Sequence, residues 1–197
     1  MTEPLRLGVL VSGRGSNLAA ILDEIEAGRL NAGVALVISD NPQAKALEVA
    51  AQHRVTTKVI ERKAFADKDG FERHIAGELK AAGVGLVVLA GFMRLLGQKF
   101  IAEFPDRIIN VHPALLPSFP GLDAQKQAFD YGVKISGCTV HYVNEIMDGG
   151  RIIAQAPVEV LPDDTEESLS ARILEREHQL LPMVIGMLAD RRAADSK

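Results

Sequence analysis

The chain has little of several residue types that mark particular classes of protein. Only one of its 197 residues is cysteine, which excludes an internal disulfide framework and a zinc site built from cysteines. No uninterrupted apolar stretch approaches the ~20 residues of a membrane span, and no basic region followed by a long apolar run opens the chain. The net charge is −4 and the 22 Lys and Arg residues are scattered, so nothing indicates a nucleic-acid or membrane surface. These absences predict a cytoplasmic protein that acts on small molecules. We expect it to be a monomer or weak homodimer.

The apolar residues make up 47% of the chain, which is enough for a sizeable core in one domain over 1–197. Short β-branched runs that predict strands lie at 5–12, 34–39, 55–60, 84–90, 107–111, 135–143 and 150–158. Helices are predicted at 16–27, 42–53, 67–82 and 96–103, with a short one after Gly121 and a long one at the end. This alternation predicts an α/β fold with a parallel sheet, and the short link between the last two strands predicts antiparallel neighbours there, hence a mixed sheet.

The last helix has recognisable start and stop signals. Asp164 and Glu167 have the spacing of a capping box, and Pro182 predicts a kink within the helix. We expect the helix to end near Leu188 and the residues from Asp190 onward to fray.

A glycine turn joins the first strand to the first helix in "VLVSGRGSNLAAIL". Gly13 and Gly15 permit a tight turn and a close approach to a ligand, and Ser16 with Asn17 opens a helix whose free N–H groups favour an anion. Leu18 replaces the third glycine of the dinucleotide fingerprint, and no Gly-Lys-Ser/Thr of a Walker A motif follows. The turn therefore predicts a phosphate site, with an ordinary turn capped by Ser or Asn as the alternative.

Asp40 follows the second predicted strand, where an acid that binds the ribose of a nucleotide dehydrogenase would lie. A nucleotide-binding module without catalysis is therefore an alternative from another class. Asp40 could equally cap the next helix through "SDNP".

A second group of candidate functional residues comprises Asn110, His112 and Asp148. Asn110 and His112 are two apart where a buried strand gives way to a proline-rich loop, so both side chains point to one face. Asp148 belongs to the turn "NEIMDGG", and its distance from His112 does not follow from spacing. An amide, an imidazole and a carboxylate can together polarise a carbonyl and stabilise a charged histidine, which suits acyl transfer; a structural, hydrogen-bonded His112 is the alternative.

The chain offers no convincing protein nucleophile. Ser12, Ser16 and Ser118 lack a nucleophile elbow, and Cys138 lies within a predicted strand without a local signature. An attacking group would therefore come from a substrate. We also predict no metal site, because the five histidines are scattered and form no pair at helical ligand spacing.

Glu177 falls within the apolar stripe of the last helix. An inward-facing acid needs a partner. The structural alternatives are a pair with an arginine such as Arg172 or Arg176, or a side chain that extends to the helix edge, and the functional alternative is a bond to a ligand hydroxyl.

Five segments in order, "VLVSGRGSN", "LAGFMRLL", "NVHPALLPSFPG", "GCTVHYVNEIMDGG" and "ARILEREHQLLP", resemble the glycinamide ribonucleotide formyltransferases, folate-dependent enzymes of purine biosynthesis, over nearly the whole chain. The resemblance implies transfer of a formyl group from the co-substrate 10-formyltetrahydrofolate to the amine of glycinamide ribonucleotide, without a metal. It implies a three-layer fold around a seven-stranded, mostly parallel sheet whose sixth strand is antiparallel. Residues 1–105 would form a nucleotide-binding half and 106–197 a catalytic and folate-binding half.

The resemblance also implies roles for individual residues. Asn110, His112 and Asp148 match the catalytic trio. The ribonucleotide would be bound by Gly15, Ser16 and Asn17 at its phosphate and by Glu177 at its ribose. The folate would be bound by Lys68, Met93, Arg94, Leu95, Leu96, Asn110, Asn144, Glu145, Ile146, Met147 and Asp148. Lys68 stands where the family usually has an arginine, which keeps the charge and loses the bidentate fork.

Two related enzyme classes share parts of this pattern. The methionyl-tRNA formyltransferases have a motif similar to "SLLPRWRG" where this chain has "ALLPSFPG". They also carry a further tRNA-binding domain. Formyltetrahydrofolate deformylases lack a "GSN" turn, because their formyl acceptor is water and no nucleotide has to be bound. We therefore expect glycinamide ribonucleotide to be the acceptor.

Overall fold

The computed structural model describes residues 3–195. The strands are β1 Leu5–Val11, β2 Ala32–Ser39, β3 Thr57–Val59, β4 Leu86–Leu89, β5 Ile108–His112, β6 Ile135–Tyr142 and β7 Ile152–Glu159. The helices are α1 Ser16–Glu26, α2 Lys45–Gln52, α3 Lys68–Ala81, α4 Gln98–Glu103, α5 Ala124–Tyr131 and α6 Glu166–Asp195, with a short 3-10 turn at Arg62–Ala64.

The seven strands form one sheet in the order β3-β2-β1-β4-β5-β6-β7. Strands β1 to β5 are parallel to one another, and β6 is antiparallel to both β5 and β7. This confirms the predicted α/β class and the predicted mixed sheet with an antiparallel sixth strand.

Two apolar clusters pack on opposite faces of the sheet, which gives three layers. Along β1 the side chains of Leu7 and Val9 point to one face and that of Leu10 to the other, as the two-residue period of a strand requires. The first face packs against α1, α2 and α6, and the second against α3 and α4. The central strands β1 and β4 are therefore buried on both faces, in agreement with their continuous apolar runs, whereas the edge strand β3 is exposed.

The last helix differs from the prediction at both ends. Thr165 and Ser168 form the reciprocal bonds of the capping box: the Ser168 N–H donates to Thr165 Oγ1 at 3.2 Å, and the Thr165 N–H to Ser168 Oγ at 3.0 Å. The predicted box of Asp164 and Glu167 is thus wrong by one residue, because Asp164 instead binds Arg172. The helix also passes Leu188 and reaches Asp195, since Ala189 still packs into the core. Of the segment expected to fray, residues 190–195 are helical and 196–197 lie outside the described residues.

The carboxyl ends of β1, β4 and β5 meet at one edge of the sheet because these strands are parallel neighbours. Ser12, Ala90 and His112 therefore lie close to this edge, which is where open α/β sheets bind ligands. The turn 12–15, the segment 90–97 and the loop 113–123 all leave the sheet there.

Candidate active site

Strand β5 presents Asn110 and His112 on the face opposite the core residues Ile109 and Val111. Antiparallel pairing places His141 of β6 beside Asn110 and Thr139 beside His112. Directly paired residues of two strands point to the same face, so these four polar side chains share one surface.

The His112 side chain is held between two oxygen atoms. Its Nε2 lies 2.8 Å from the carbonyl oxygen of Phe119, and its Nδ1 lies 3.4 Å from Asp148 Oδ2. Carbonyl and carboxylate oxygens can only accept, so an imidazolium fits this geometry: Nε2 donates to the Phe119 carbonyl, and Nδ1 faces Asp148 as an ion pair. His112 is only 4% exposed, which strengthens these contacts because little water competes for them.

Asp148 reaches His112 from the loop between β6 and β7, with a backbone φ of 51°. Its Oδ2 accepts from the Gly121 N–H at 2.8 Å, and its Oδ1 lies 3.6 Å from His141 Nε2. Burial acts to raise the pKa of Asp148, but the neighbouring His141, the hydrogen bond from the Gly121 N–H and the charge of His112 outweigh it and hold the pKa below its usual value. Asp148 is therefore ionised beside His112 at neutral pH. The structure thus brings Asn110, His112 and Asp148 together.

His141 is a fourth member of this cluster, and sequence reasoning missed it. Its Nδ1 lies 2.9 Å from the Tyr142 carbonyl oxygen, and its Nε2 lies 3.2 Å from Asn110 Nδ2. His141 therefore fixes the orientation of the Asn110 amide while also contacting Asp148. The available signal was a histidine inside a predicted strand next to β5, but only the pairing register shows which residue it faces.

The glycine turn leads into α1 without a side-chain cap. Gly15 is the N-cap residue with φ 80°, and no side chain accepts from the first turn of the helix. The alternative of a turn capped by Ser16 or Asn17 is therefore wrong, and the first N–H groups of an 11-residue helix are not taken by a side-chain oxygen. A helix start of this kind favours an anion.

Asn17 connects this turn to Glu177 of α6. Its Nδ2 donates to Glu177 Oε2 at 2.8 Å, and both residues are buried. Burial raises the pKa of Glu177 to about 7, although the hydrogen bond from Asn17 and the charge of Arg14 both act to lower it. The carbonyl oxygen Oδ1 of Asn17 is buried and has no hydrogen-bond partner among residues 3–195. An amide oxygen in this state fits a ligand that donates a hydrogen bond.

The arginines considered as partners for Glu177 are engaged elsewhere. Arg172 binds Asp164, and Arg176 donates to Gln179 at 3.0 Å. Neither arginine is the hydrogen-bond partner of Glu177.

The residues predicted to line a folate cleft lie in two segments and at the start of α3. Met93, Arg94 and Leu95 are exposed on the segment after β4, whereas Leu96 is buried in the core. The Lys68 ammonium lies 3.6 Å from Glu72 Oε1, and the same oxygen accepts from the Gly97 N–H at 2.9 Å. Glu72 thus connects Lys68 to the end of this segment.

The second segment is the loop after β6. Asn144 Oδ1 accepts from the Ile146 N–H at 3.0 Å, and Glu145 Oε1 accepts from Gln98 at 3.3 Å. Ile146 and Met147 are exposed next to Asp148. The loop therefore presents apolar side chains beside the polar cluster.

Asp40 has neither of the roles predicted for it. Its two carboxylate oxygens bind Ser12 and Arg94, so they are not free to hold a ribose. Helix α2 begins at Lys45 with Ala44 as its N-cap residue, and Asp40 lies outside that helix start.

The part of the chain that the structure describes contains neither a cluster of metal ligands nor a helix suited to span a membrane. Within residues 3–195, no group of three or more His, Cys, Asp and Glu side chains is arranged to hold a metal ion. Over the same residues, no helix has the length and apolarity needed to cross a membrane. The predicted absence of a metal stays a prediction.

Comparisons with known proteins agree with the fold. A family model described as "Formyl transferase" matches residues 5–185, and the chain belongs to this family of formyltransferases. It is 43% identical over 183 residues to a phosphoribosylglycinamide formyltransferase of Bacillus subtilis, covering 93% of this chain and 94% of that protein. The chain superposes with a TM-score of 0.95 on a crystal structure of glycinamide ribonucleotide transformylase 1 from Symbiobacterium toebii, at 47% identity and with 98% of this chain and 91% of that chain covered.

A longer relative is the trifunctional purine biosynthetic protein adenosine-3 of Drosophila melanogaster. It is 46% identical over 187 residues, which are 94% of this chain and 14% of that protein. The chain therefore corresponds to one part of the trifunctional relative.

Proposed function

We propose that this chain transfers the formyl group of 10-formyltetrahydrofolate to the amine of glycinamide ribonucleotide, giving formylglycinamide ribonucleotide and tetrahydrofolate. The observation that carries the proposal is the cluster of Asn110, His112, His141 and Asp148 at the edge of the sheet where the glycine turn also lies. Relatives that are 38% and 43% identical over most of this chain are phosphoribosylglycinamide formyltransferases.

The ribonucleotide is assigned to the glycine turn and to Glu177, which is hydrogen-bonded to that turn through Asn17. The N–H groups at the start of α1, from Gly15 to Asn17, bind the phosphate because they lack a side-chain cap. Glu177 accepts hydrogen bonds from the ribose hydroxyls, and the unpartnered Asn17 Oδ1 offers a further acceptor beside it.

The folate is assigned to the cleft between the segment after β4 and the loop after β6. The residues assigned to it are Lys68, Met93, Arg94, Leu95, Leu96, Asn110, Asn144, Glu145, Ile146, Met147 and Asp148. The exposed apolar side chains Met93, Leu95 and Ile146 would pack on its aromatic parts, and the ammonium of Lys68 would face its carboxylates.

Asn110 and His112 supply hydrogen bonds to the oxygen on which charge develops when the neutral amine attacks the formyl carbon. The Asn110 amide is oriented by His141, and the His112 imidazolium is stabilised by the Asp148 carboxylate. His112 Nε2 exchanges its contact with the Phe119 carbonyl for one with the formyl oxygen, or shares its proton between the two. Collapse returns the electron pair to the C–O bond, breaks the bond from the formyl carbon to the folate nitrogen, and transfers the amine proton to that nitrogen.

A direct assay tests this function. The enzyme is incubated with 10-formyltetrahydrofolate and one of three acceptors: glycinamide ribonucleotide, methionyl-tRNA or water alone. Mass spectrometry should detect formylglycinamide ribonucleotide together with tetrahydrofolate in equal amounts. Product with methionyl-tRNA, or folate turnover without the nucleotide, would contradict the proposed acceptor, and the absence of turnover with all three would support a binding module.

The division into halves at 1–105 and 106–197, the cytoplasmic location, the oligomeric state and the absence of nucleic-acid partners stay predictions.

A further inference from the structure

Asp40 is a buried acid that the proposed mechanism does not use. It follows β2 at the sheet edge where β2, β1 and β4 are neighbours. Its side chain is 7% exposed. A carboxylate buried to this extent needs partners, and its partners come from both neighbouring segments.

The first carboxylate oxygen sets the direction of the Ser12 hydroxyl. Ser12 Oγ donates to Asp40 Oδ1 at 2.6 Å and accepts from the Met93 N–H at 2.9 Å. A hydroxyl has one hydrogen, so donation to Asp40 leaves its lone pairs for Met93. Asp40 thereby fixes the backbone of the segment after β4 through a residue that directly precedes the glycine turn.

The second carboxylate oxygen binds the Arg94 guanidinium. The same guanidinium lies 5.8 Å from the ring centroid of Phe71, on the core side of the segment. The Ser12 N–H also donates to the Gly91 carbonyl at 3.0 Å. The segment 91–94 is therefore attached to the turn by a backbone bond and by the two oxygens of Asp40.

We propose that Asp40 is a positioning residue that fixes the folate-lining segment Met93–Leu96 against the nucleotide-binding turn and thereby sets the affinity for the formyl-folate. This inference rests on the proposed function, which assigns the two segments to the two substrates. Asp40 touches neither substrate and acts through Ser12 and Arg94. Its effect should therefore fall on the KM for the folate more than on kcat.

Steady-state kinetics of Asp40→Ala and Asp40→Asn test the proposal. Alanine removes both contacts and should raise the KM for 10-formyltetrahydrofolate about tenfold, with kcat and the nucleotide KM within about threefold of wild type. Asparagine keeps an acceptor for Ser12 and turns its N–H₂ toward Arg94, so its folate KM should lie between wild type and alanine. Asp164→Asn is the matched control, because Asp164 is also a buried acid paired with an arginine but lies far from the cleft along the chain, at the start of α6.

Hydrogen exchange of the Met93 amide gives a second readout that does not depend on turnover. Asp40→Ala should speed its exchange about tenfold or more, while Asp40→Asn and Asp164→Asn should leave it close to wild type. The proposal is overturned if alanine changes the folate KM no more than the control does, or if it lowers kcat and raises both KM values alike. If the wild-type enzyme transfers no formyl group, the proposed function is wrong. Unchanged exchange of the Met93 amide in Asp40→Ala would separately show that Asp40 is not a positioning residue.

Discussion

At the residue scale, two side chains of one strand are assigned to the same oxygen atom. Asn110 and His112 share a face of β5, and each is oriented by a partner, His141 for the amide and Asp148 for the imidazole. A pair of this kind lowers the energy of the transition state only while both members point at the developing charge. His141 and Asp148 therefore contribute by orienting the two donors, and Asp148 also stabilises the positive charge of His112.

Loss of either side chain should reduce turnover far more than binding. His112→Ala and Asn110→Ala should each lower kcat by ~10² to 10⁴-fold, the range typical of an oxyanion donor or general acid, with smaller changes in substrate affinity. The double variant should lose less than the product of the two single losses, because both side chains serve one oxygen. Single-turnover rates and calorimetric titrations check this. Near-normal turnover in His112→Ala would show that the mechanism is wrong.

Glu177 makes the stability of the protein depend on pH. Burial raises its pKa to about 7 in the folded state, against an ordinary value of 4.5. Between these values the folded chain holds a proton that the unfolded chain has lost, so the free energy of unfolding falls as the pH rises from about 4.5 to about 7. This pKa difference between the folded and unfolded states corresponds to about 3 kcal/mol of unfolding free energy.

Glu177→Gln should remove this dependence and raise the free energy of unfolding at pH 7.5, because glutamine still accepts from Asn17 and carries no charge. Urea unfolding of both proteins between pH 4.5 and 7.5 measures the difference. Parallel pH profiles for the two proteins would rule out Glu177 as the source.

At the element scale, the glycine turn determines how closely α1 approaches α2. Gly15 has φ 80°, and a Cβ there would lie 2.6 Å from the Cα of Ala46. Gly13 belongs to the same turn but has no atom within 4 Å of the corresponding position. The two glycines therefore have different physical roles despite their identical spacing from Arg14.

Gly15→Ala should destabilise the protein and displace the start of α1. The unfavourable backbone conformation alone should reduce the free energy of unfolding by about 1 to 3 kcal/mol, and the contact with the Ala46 backbone adds to this. Gly13→Ala is the matched control and should change it by less than about 0.5 kcal/mol. Urea denaturation compares the two variants, and equal stabilities would contradict the assignment of the close approach to Gly15.

The elements also show what the sequence could and could not predict. The alternation of apolar runs and helical stretches predicts the parallel sheet, and the short link between the last two strands predicts their antiparallel pairing. That the sixth strand is the antiparallel one is what the resemblance to the formyltransferases implies. The capping box of α6 lies one residue from its predicted position, because several acceptors in "DDTEES" satisfy the same spacing. The contacts of His141 with Asn110 and of Asn17 with Glu177 join residues distant in the chain, and no spacing rule contains the strand register or helix packing that produces them.

At the scale of the whole molecule, Cys138 reports on unfolding. It lies on β6 between β5 and β7 and is fully buried. Burial, with a smaller contribution from the charge of Glu177, raises the pKa of its thiol to about 12. A buried thiol with a raised pKa is unreactive, so reaction requires the opening of the central sheet. Since the chain contains one cysteine, every labelling event comes from this residue.

Alkylation of Cys138 should therefore follow the global stability of the chain and slow down when a substrate binds. With opening and closing fast relative to labelling, the rate is proportional to the population of the open state. A ligand that binds the folded state alone reduces that population by the factor 1 + [L]/Kd, so glycinamide ribonucleotide at 100 times its Kd should slow labelling about 100-fold. Asn17→Ala should lose most of this protection by the nucleotide and keep the protection given by a folate analogue. Labelling that is fast and indifferent to both ligands would show instead that β6 opens locally while the two binding sites remain folded.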